Sequence, residues 1–104
     1  MTKSGSRVFQ IVYHPAVPDK DIPSINRDIK TRIQKAIEAR LTRAPQDYGK
    51  PLMGNLSGYW SLRVGDYRVI YYIEVSLVKV IQIVHRRDAY QEGILEARRR
   101  GWLK

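Results

Sequence analysis

A chain of 104 residues with a formal charge of +9 and no cysteine sets narrow limits on fold and function. The length fits one domain, predicted over residues 1–104, with residues 1–6 as a loose tail. The lack of cysteine excludes disulfides and cysteine-based metal or nucleophile sites. The excess of Lys and Arg over Asp and Glu predicts a polyanionic partner, such as nucleic acid or an acidic protein. The plain alternative is a merely soluble basic protein.

Membrane and metal sites are not expected. No apolar run reaches the ~18 residues of a membrane span, and the segment MTKSGSR lacks the apolar core of a signal peptide. A cytoplasmic protein is therefore predicted. The two histidines are isolated, without a carboxylate pattern around them, so the sequence gives no reason to expect a metal ion or another cofactor.

The first half of the chain predicts a strand and a long amphipathic helix. Residues 7–13, RVFQIVY, are β-branched and aromatic, which favours a strand, and residues 16–23 predict a connection with one helical turn. From residue 24 to residue 43 one apolar residue recurs every four, which predicts a helix with a single buried stripe. Its N-cap is Ser24 or Asn26, and Pro45 ends it. The stripe consists of Ile25, Ile29, Ile33, Ile37 and Leu41.

The second half predicts a loop, three strands and a last helix. Residues 44–58 hold three glycines and two prolines and indicate a loop. Strands follow at residues 59–64, 67–74 and 77–85, and a helix over residues 88–100 precedes a basic end. The order β-α-β-β-β-α predicts an α+β domain with a four-stranded, mostly antiparallel sheet. The long helix covers one sheet face, and the other face is partly free.

Strand alternation assigns the first candidate residues to a face. Trp60 and Leu62 point one way from their strand, and Ser61 and Arg63 point the other way. If the first two pack under the helix, the second two lie on the free face. Arg63 is then a cation on a sheet surface that is otherwise apolar.

Arginines on the neighbouring strands predict a phosphate site on that face. Arg68 lies on the next strand, and Arg86 lies where the last strand ends. Adjacent strands are ~4.8 Å apart, so these side chains and Arg63 can form one cluster. Guanidinium groups that repel each other have a plain rationale if a phosphate lies between them. The alternative is an ordinary solvated surface in which they pair with Asp66, Glu74 and Asp88.

Other polar residues near this cluster are candidates for proton transfer and substrate contacts. His85 titrates near neutral pH and is a candidate general base or acid, although a histidine at a strand end is as often structural. Tyr90 follows the arginines and is placed to stack on a base or hold a phosphate oxygen. Ser61, Arg87 and Lys50 complete the predicted substrate-binding set.

Motifs along nearly the whole chain resemble the RelE/ParE superfamily of bacterial and archaeal type II toxins. The pattern L-x-G-x-x-x-L-R-x-G-x-Y-R-x-x-Y, from Leu56 to Tyr71, is the most specific of them. The arginine and tyrosine after the last strand make the chain more similar to the RelE branch than to ParE. The other matching segments are FQIVYHPAVPDKDIP, RIQKAIEARL and IVHRRDAY.

The resemblance implies a RelE-like small RNase fold and a metal-independent endoribonuclease, an mRNA interferase. Such an enzyme cuts mRNA in the ribosomal A site by attack of the 2′-hydroxyl on the adjacent phosphate. The functional arginines of the family fall on Arg68 and Arg86, its C-terminal tyrosine on Tyr90, and a further basic position on Arg63. The resemblance also implies an acidic antitoxin that binds and silences the toxin.

One departure from the family concerns the proton acceptor. RelE toxins carry two lysines, one residue apart, where this chain has Tyr59 and Ser61. The resemblance assigns the base to one of those lysines, so here His85 is the substitute candidate. Two alternatives remain open: a ParE-like inhibitor of DNA gyrase, and an RNA- or antitoxin-binding homologue whose catalysis is weak or lost.

Overall fold

The computed structural model describes residues 8–88, 96, 97, 99 and 100. These residues form an α+β unit built on a five-stranded sheet. The strands are β1 (Gln10–Tyr13), β2 (Lys50–Pro51), β3 (Trp60–Val64), β4 (Tyr67–Glu74) and β5 (Leu77–His85). The helices are α1 (Arg27–Ala36) and α2 (Pro45–Tyr48), with π-helical turns at Val17–Asp21 and Ile37–Leu41 and 3-10 turns at Ile22–Ser24, Gly54–Leu56 and Arg86–Asp88.

The sheet has the order β1-β5-β4-β3-β2, with β1 parallel to β5 and the other neighbours antiparallel. The predicted fold class is confirmed, but the predicted count of four strands is wrong. The fifth strand, β2, and the short helix α2 lie inside residues 44–58, which were predicted as a loop. Strand β2 could not be predicted from the sequence, because it is two residues long and contains Pro51, which cannot donate to a ladder.

The buried stripe of α1 confirms the predicted amphipathic helix. Asn26 caps it, with its Oδ1 accepting a hydrogen bond from the Asp28 N–H at 2.8 Å. Ser24, the other predicted cap, instead donates from Oγ to the Asp21 carbonyl at 2.9 Å. The helical path continues through a π-helical turn to Leu41, which is fully buried. One face of the sheet, with Leu62 and Val69, packs under this stripe.

A second apolar cluster covers part of the opposite face, which was predicted to be partly free. The cluster lies over the half of the sheet nearest the β4–β5 turn and leaves the β3–β4 turn end outside it. Its buried members are Leu56, Tyr59, Ile70, Tyr72, Ile81 and Ala97. The predicted C-terminal helix is described at four positions only (96, 97, 99 and 100), and these are helical. The rest of that prediction lies outside the described residues.

A buried ion pair fixes this C-terminal segment to the edge of β5. Arg100 donates from its two terminal nitrogens to both carboxylate oxygens of Asp21, at 2.9 and 3.0 Å, and to the Ile81 carbonyl at 2.7 Å. Asp21 also accepts from the Ile83 N–H at 2.9 Å. The edge of β5 beyond the end of β1 is thereby occupied by a carboxylate and a guanidinium.

Glu96 also pairs with Arg100, and each of the two side chains shifts the pKa of the other. The Arg100 Nε lies 3.1 Å from the Glu96 carboxylate, and this hydrogen bond lowers the pKa of Glu96. Burial by itself lowers the pKa of Arg100, but its bonds to Asp21 and Glu96 outweigh burial, so the net pKa is raised. Both shifts favour the charged forms, and the pair therefore persists at neutral pH.

His14, which follows β1, is expected to make folding sensitive to mild acid. Its Nδ1 accepts a hydrogen bond from the Ala16 N–H at 3.0 Å, which requires an unprotonated nitrogen. Burial and then the charge of Arg100 lower the pKa of His14 below its usual 6.5, although Asp21 and Glu96 oppose them. Because the folded state disfavours the proton, the unfolding free energy should fall as the pH drops through about 6.5.

Urea unfolding at about pH 7.5 and about pH 5 measures this dependence. The variant His14→Asn keeps an acceptor near the position of Nδ1 and cannot be protonated, so it should lose that part of the dependence. Identical pH profiles for the variant and the wild type would exclude His14 as the source.

Candidate functional site

Two arginines lie directly opposite each other on the β3–β4 ladder. The register pairs Arg63 with Arg68, and their alternation with Leu62 and Val69 places them on the face away from α1. The prediction that Arg63 faces away from the helix is confirmed, and the register assigns Arg68 to the same face. Like charges at directly opposed positions destabilise a sheet. No carboxylate of the described residues lies within salt-bridge distance of either guanidinium, so their repulsion is not neutralised locally.

The carboxylates that were alternative partners for these arginines are engaged elsewhere. Glu74 pairs with Lys79 at 2.8 Å. Asp66, in the β3–β4 turn, lies 3.7 Å from the Arg86 Nε, and both side chains are mostly exposed. The Arg86 N–H donates to the Asp66 carbonyl at 2.7 Å. This backbone bond holds Arg86 at the same end of the sheet as Arg63, whereas the side-chain ion pair is too exposed to restrain the guanidinium strongly.

The pair Arg63–Arg68 forms one row of side chains across the sheet. A second row crosses the same face at Ser61, two residues before Arg63 on β3. Lys50 of β2 pairs in register with Ser61, and Ser61 pairs with Ile70 on the face that carries Arg68. Gln82 continues the row on β5. Ser61 and Gln82 are each 5% exposed, and within the described ranges neither the Ser61 Oγ nor the Gln82 Oε1 has a hydrogen-bond partner. Lys50 is exposed and forms no ion pair with any carboxylate in the described part of the chain.

Contact with a buried tyrosine fixes the backbone that leads into Lys50. Tyr71 is fully buried, its hydroxyl donates to the Pro45 carbonyl at 2.7 Å, and burial raises its pKa. Gly49 packs so closely that an added Cβ would lie 1.9 Å from the Tyr71 hydroxyl oxygen. Glycine is therefore required here for close approach, and this contact sets where β2 begins.

Gly49→Ala is accordingly expected to lower the unfolding free energy by about 3 kcal/mol, because the clash falls on a side chain that has no room to move. Tyr71→Phe alone should cost roughly 0.5–1.5 kcal/mol by removing this buried hydrogen bond, because the Pro45 carbonyl then keeps only its longer, 3.4 Å bond from the Gly49 N–H. In the double variant the clashing oxygen is absent, so the combined loss should be smaller than the sum. Urea denaturation of the three variants measures this coupling, and strict additivity would show that the contact is not the cause.

His85 does not share the face of the two arginines. An irregularity in the β4–β5 pairing, at Ile70/Tyr71, gives β5 one extra residue, after which His85 pairs with Tyr67. The two rings meet edge to face with centroids 5.1 Å apart. The His85 Nδ1 accepts a hydrogen bond from the Arg87 N–H at 3.1 Å, which assigns the ring proton to Nε2. The expected grouping of His85 with Arg68 is therefore corrected: its imidazole lies on the helix side of the sheet.

The other predicted site residues lie at the end of β5 or beyond the described chain. Arg87 is exposed in the Arg86–Asp88 turn. Tyr90 lies outside the described residues. Lys50 and Ser61 were both predicted to bind substrate, but their position as cross-strand neighbours could not be predicted, because β2 was not predicted. Gln82 was missed altogether, since a glutamine within an apolar strand carries no specific signal.

The cations of the described residues are suited to binding an anion. Among them no group of three or more acidic or histidine side chains could hold a metal ion. None of the helices in the described part of the chain is long and apolar enough to cross a membrane. The cations of the two rows and of the β5 end instead suit a phosphodiester, which arginine and lysine bind through charge-assisted hydrogen bonds.

Comparisons with known proteins point to one group of toxins. Residues 11–90 match the model of the ParE toxin of the type II toxin–antitoxin system parDE. Toxin RelE of Mycobacterium tuberculosis is 32% identical over 84 residues, covering 76% of this chain and 87% of that relative. Toxin RelG of the same organism is 42% identical over 53 residues, covering 49% of this chain and 61% of the relative. For RelG the match thus spans less than two thirds of the relative's length.

Solved structures show the same fold. The RelBE2 toxin–antitoxin complex of M. tuberculosis superposes with a TM-score of 0.71 at 26% identity, covering 78% of this chain and 94% of the matched chain. A mutant of Escherichia coli toxin RelE in the free state superposes with a TM-score of 0.69 at 14% identity, covering 90% of this chain and 98% of that one. At that identity the second likeness concerns the fold alone.

Proposed function

Since the chain belongs to the ParE toxin family of type II toxin–antitoxin systems, and is a toxin of the RelE type, we propose that it is a ribosome-dependent endoribonuclease that cuts mRNA in the A site. The observation that carries this proposal is the cross-strand pair of Arg63 and Arg68, whose charges no carboxylate of the described chain neutralises. A phosphodiester placed between them relieves their repulsion and gains charge-assisted hydrogen bonds.

The reaction needs stabilisation of negative charge at phosphorus. The 2′-oxygen attacks the phosphorus and gives its proton to solvent water, and the bond from phosphorus to the 5′-oxygen breaks. The 5′-oxygen takes up a proton from water, so the products are a cyclic phosphate and a free 5′-hydroxyl. Arg68 and Arg86 stabilise the dianionic phosphorane, Arg63 positions the RNA, and Tyr90 orients the substrate. Because its imidazole lies on the helix side, we assign His85 the task of holding the turn that carries Arg86, in place of proton transfer.

The Arg86 assignment can be tested on translating ribosomes. Purified Arg86→Ala protein is expected to cut mRNA at least tenfold more slowly than the wild type, because one donor to the phosphorane is lost. Asp66→Asn removes the carboxylate 3.7 Å from the Arg86 Nε and keeps the backbone bond, so it should cut at least as fast as the wild type. Mapping of 5′ ends gives both rates. Wild-type cleavage by Arg86→Ala would refute the assignment.

The family model's name favours a second candidate, a ParE-like inhibitor of DNA gyrase that cuts no RNA. Trapped gyrase–DNA complexes, without new mRNA ends in the A-site codon, would establish that alternative. A-site cleavage without trapped gyrase supports the endoribonuclease. A third outcome, RNA binding with neither effect, would indicate a homologue without catalysis.

We also propose that the chain binds an acidic antitoxin. The formal charge of +9 suits such a partner, and the similar M. tuberculosis chain was solved as a toxin–antitoxin complex. The antitoxin is expected to cover the arginines or to displace the C-terminal segment. A complex that leaves both the arginine face and the Asp21–Arg100 pair untouched would contradict this expectation.

A further inference from the structure

The row that contains Lys50 and Ser61 has no task in the reaction described above. We propose that Lys50 and Ser61 form a second phosphate subsite, which binds the phosphate next to the one held by Arg63 and Arg68. The substrate class is single-stranded RNA, whose backbone then runs along β3 from one row to the other. This inference rests on the proposed RNA site and adds a positioning role for Lys50, which contacts no reacting atom.

The spacing of the two rows suits neighbouring phosphates. Ser61 and Arg63 lie on the same face of β3, two residues apart, which corresponds to about 7 Å along the strand. That distance is comparable to the separation of successive phosphates in an extended RNA strand. In both rows a cation lies directly opposite a side chain that can donate a hydrogen bond, since Arg63 is opposite Arg68 and Lys50 is opposite Ser61.

The buried Ser61 hydroxyl lacks an acceptor. Its Oγ has no hydrogen-bond partner among the described residues, and an unsatisfied buried hydroxyl costs about 1–3 kcal/mol. A phosphate oxygen would accept its proton. The Lys50 ammonium, directly opposite, has no carboxylate partner in the described part of the chain, whereas Lys79 on the same sheet pairs with Glu74 at 2.8 Å. Like Arg63 and Arg68, Lys50 is thus a cation of this face that no carboxylate of the described residues neutralises.

The backbone holds Lys50 in this position. The Leu52 N–H donates to the Tyr59 carbonyl at 2.9 Å, which extends the β2–β3 register past Pro51. On the other side, Gly49 is fixed against Tyr71. A lysine between two fixed points keeps its side chain over Ser61 while its ammonium remains free to follow a bound anion.

Short RNA ligands with one or two phosphates separate the two subsites. The probes are a 2′-O-methyl dinucleotide, which has one phosphodiester, and a 2′-O-methyl trinucleotide, which has two, both resistant to cleavage by the 2′-hydroxyl. NMR titration of the full chain at low salt measures their affinities. In the wild type the trinucleotide should bind about tenfold more tightly, and the slope of its log affinity against log salt should be steeper by about 0.7.

Lys50→Ala should remove both the tenfold difference in affinity and the difference in salt slope between the two ligands. It should leave dinucleotide binding unchanged, because the single phosphate occupies the arginine row. Lys50→Arg, which keeps the charge, should retain them. Lys35→Ala, which removes an exposed charge from α1 on the other side of the sheet, serves as the matched control and should behave as the wild type. Any of three results would overturn the subsite. Lys50→Ala could weaken the binding of both ligands equally, it could weaken neither, or the wild type could bind neither ligand.

The ribosome assay separates this inference from the proposed enzyme. If affinity depends on RNA length but the chain cuts no mRNA on ribosomes, the subsite is supported and the proposed endoribonuclease is refuted. If the chain cuts mRNA but Lys50→Ala leaves the dependence on RNA length intact, the endoribonuclease is supported and the subsite is refuted.

Discussion

Replacement of Arg68 by alanine is expected to slow mRNA cleavage by about 100- to 1000-fold, the usual effect of removing one preorganised donor to a developing oxyanion. Arg68 is half-buried on the central strand β4, with Arg63 opposite on one side and Val84 on the other. Its side chain is therefore more confined than that of an exposed arginine before substrate arrives. Exposed cations such as Arg87 lack this restraint, and their loss should have a smaller effect.

The measurement is the rate at which the purified protein cuts mRNA on translating ribosomes, with folding checked by urea denaturation. Arg43→Ala, the same substitution at an exposed position after the long helix, is the matched control and should cut at the wild-type rate. Removal of Arg68 also removes a like-charge repulsion, so the variant should be at least as stable as the wild type. An Arg68→Ala protein that is folded and fully active would disprove the site.

Arg100→Ala is expected to have the largest effect on stability, a loss of about 3–5 kcal/mol, because it leaves the Asp21 carboxylate buried without its partner. The side chains of Arg100 and Asp21 are only 5% and 9% exposed. The same substitution removes the hydrogen bonds to the Ile81 carbonyl and to one oxygen of the Glu96 carboxylate. The segment around Ala97 should then leave the second apolar cluster, which exposes Ile81.

Arg99→Ala is the matched control, since Arg99 lies in the same helical segment and also pairs with Glu96, at 3.0 Å, but is 73% exposed. Its loss should be barely measurable, as for most surface ion pairs. Urea denaturation gives the unfolding free energies, and amide hydrogen exchange shows whether β5 loses protection. Equal effects of the two substitutions would mean that the Asp21–Arg100 ion pair contributes no more to the unfolding free energy than a surface ion pair does.

The sequence predicted best those features that depend on local periodicity. The stripe from Ile25 to Leu41 specified a helix and its buried side, because a four-residue recurrence on a helix has one geometric solution. Alternation likewise put Trp60 and Leu62 on one face of β3 and Arg63 on the other. The short strand β2 escaped prediction, since two residues are too few to show a period.

The position of His85 illustrates why part of the site could not be predicted. Plain alternation along β5 from Lys79, through Ile81 and Ile83, places His85 on the face of the arginines. One extra residue in the β4–β5 pairing reverses this alternation, so Val84 lies opposite Arg68 and His85 opposite Tyr67. A bulge of this kind has no signature in a strand that is apolar on both faces.

Long-range polar contacts were equally hidden. Asp21 and Arg100 are far apart in the sequence, and nothing in their local sequence indicates that they meet at the edge of β5. The same holds for the contact of Gly49 with Tyr71. Such contacts depend on the finished tertiary arrangement, which a single sequence does not encode in any short-range pattern.

The parallel pairing of β1 with β5 has a consequence for synthesis. Gln10 lies beside Leu77, so the first strand to leave the ribosome pairs with the last strand of the sheet. The β3–β4–β5 meander involves short loops and can form as soon as it is made, whereas β1 must close a loop that contains most of the chain. A nascent chain that stops before Leu77 leaves β1 without its neighbour, so the complete sheet can form only after β5 has been synthesised.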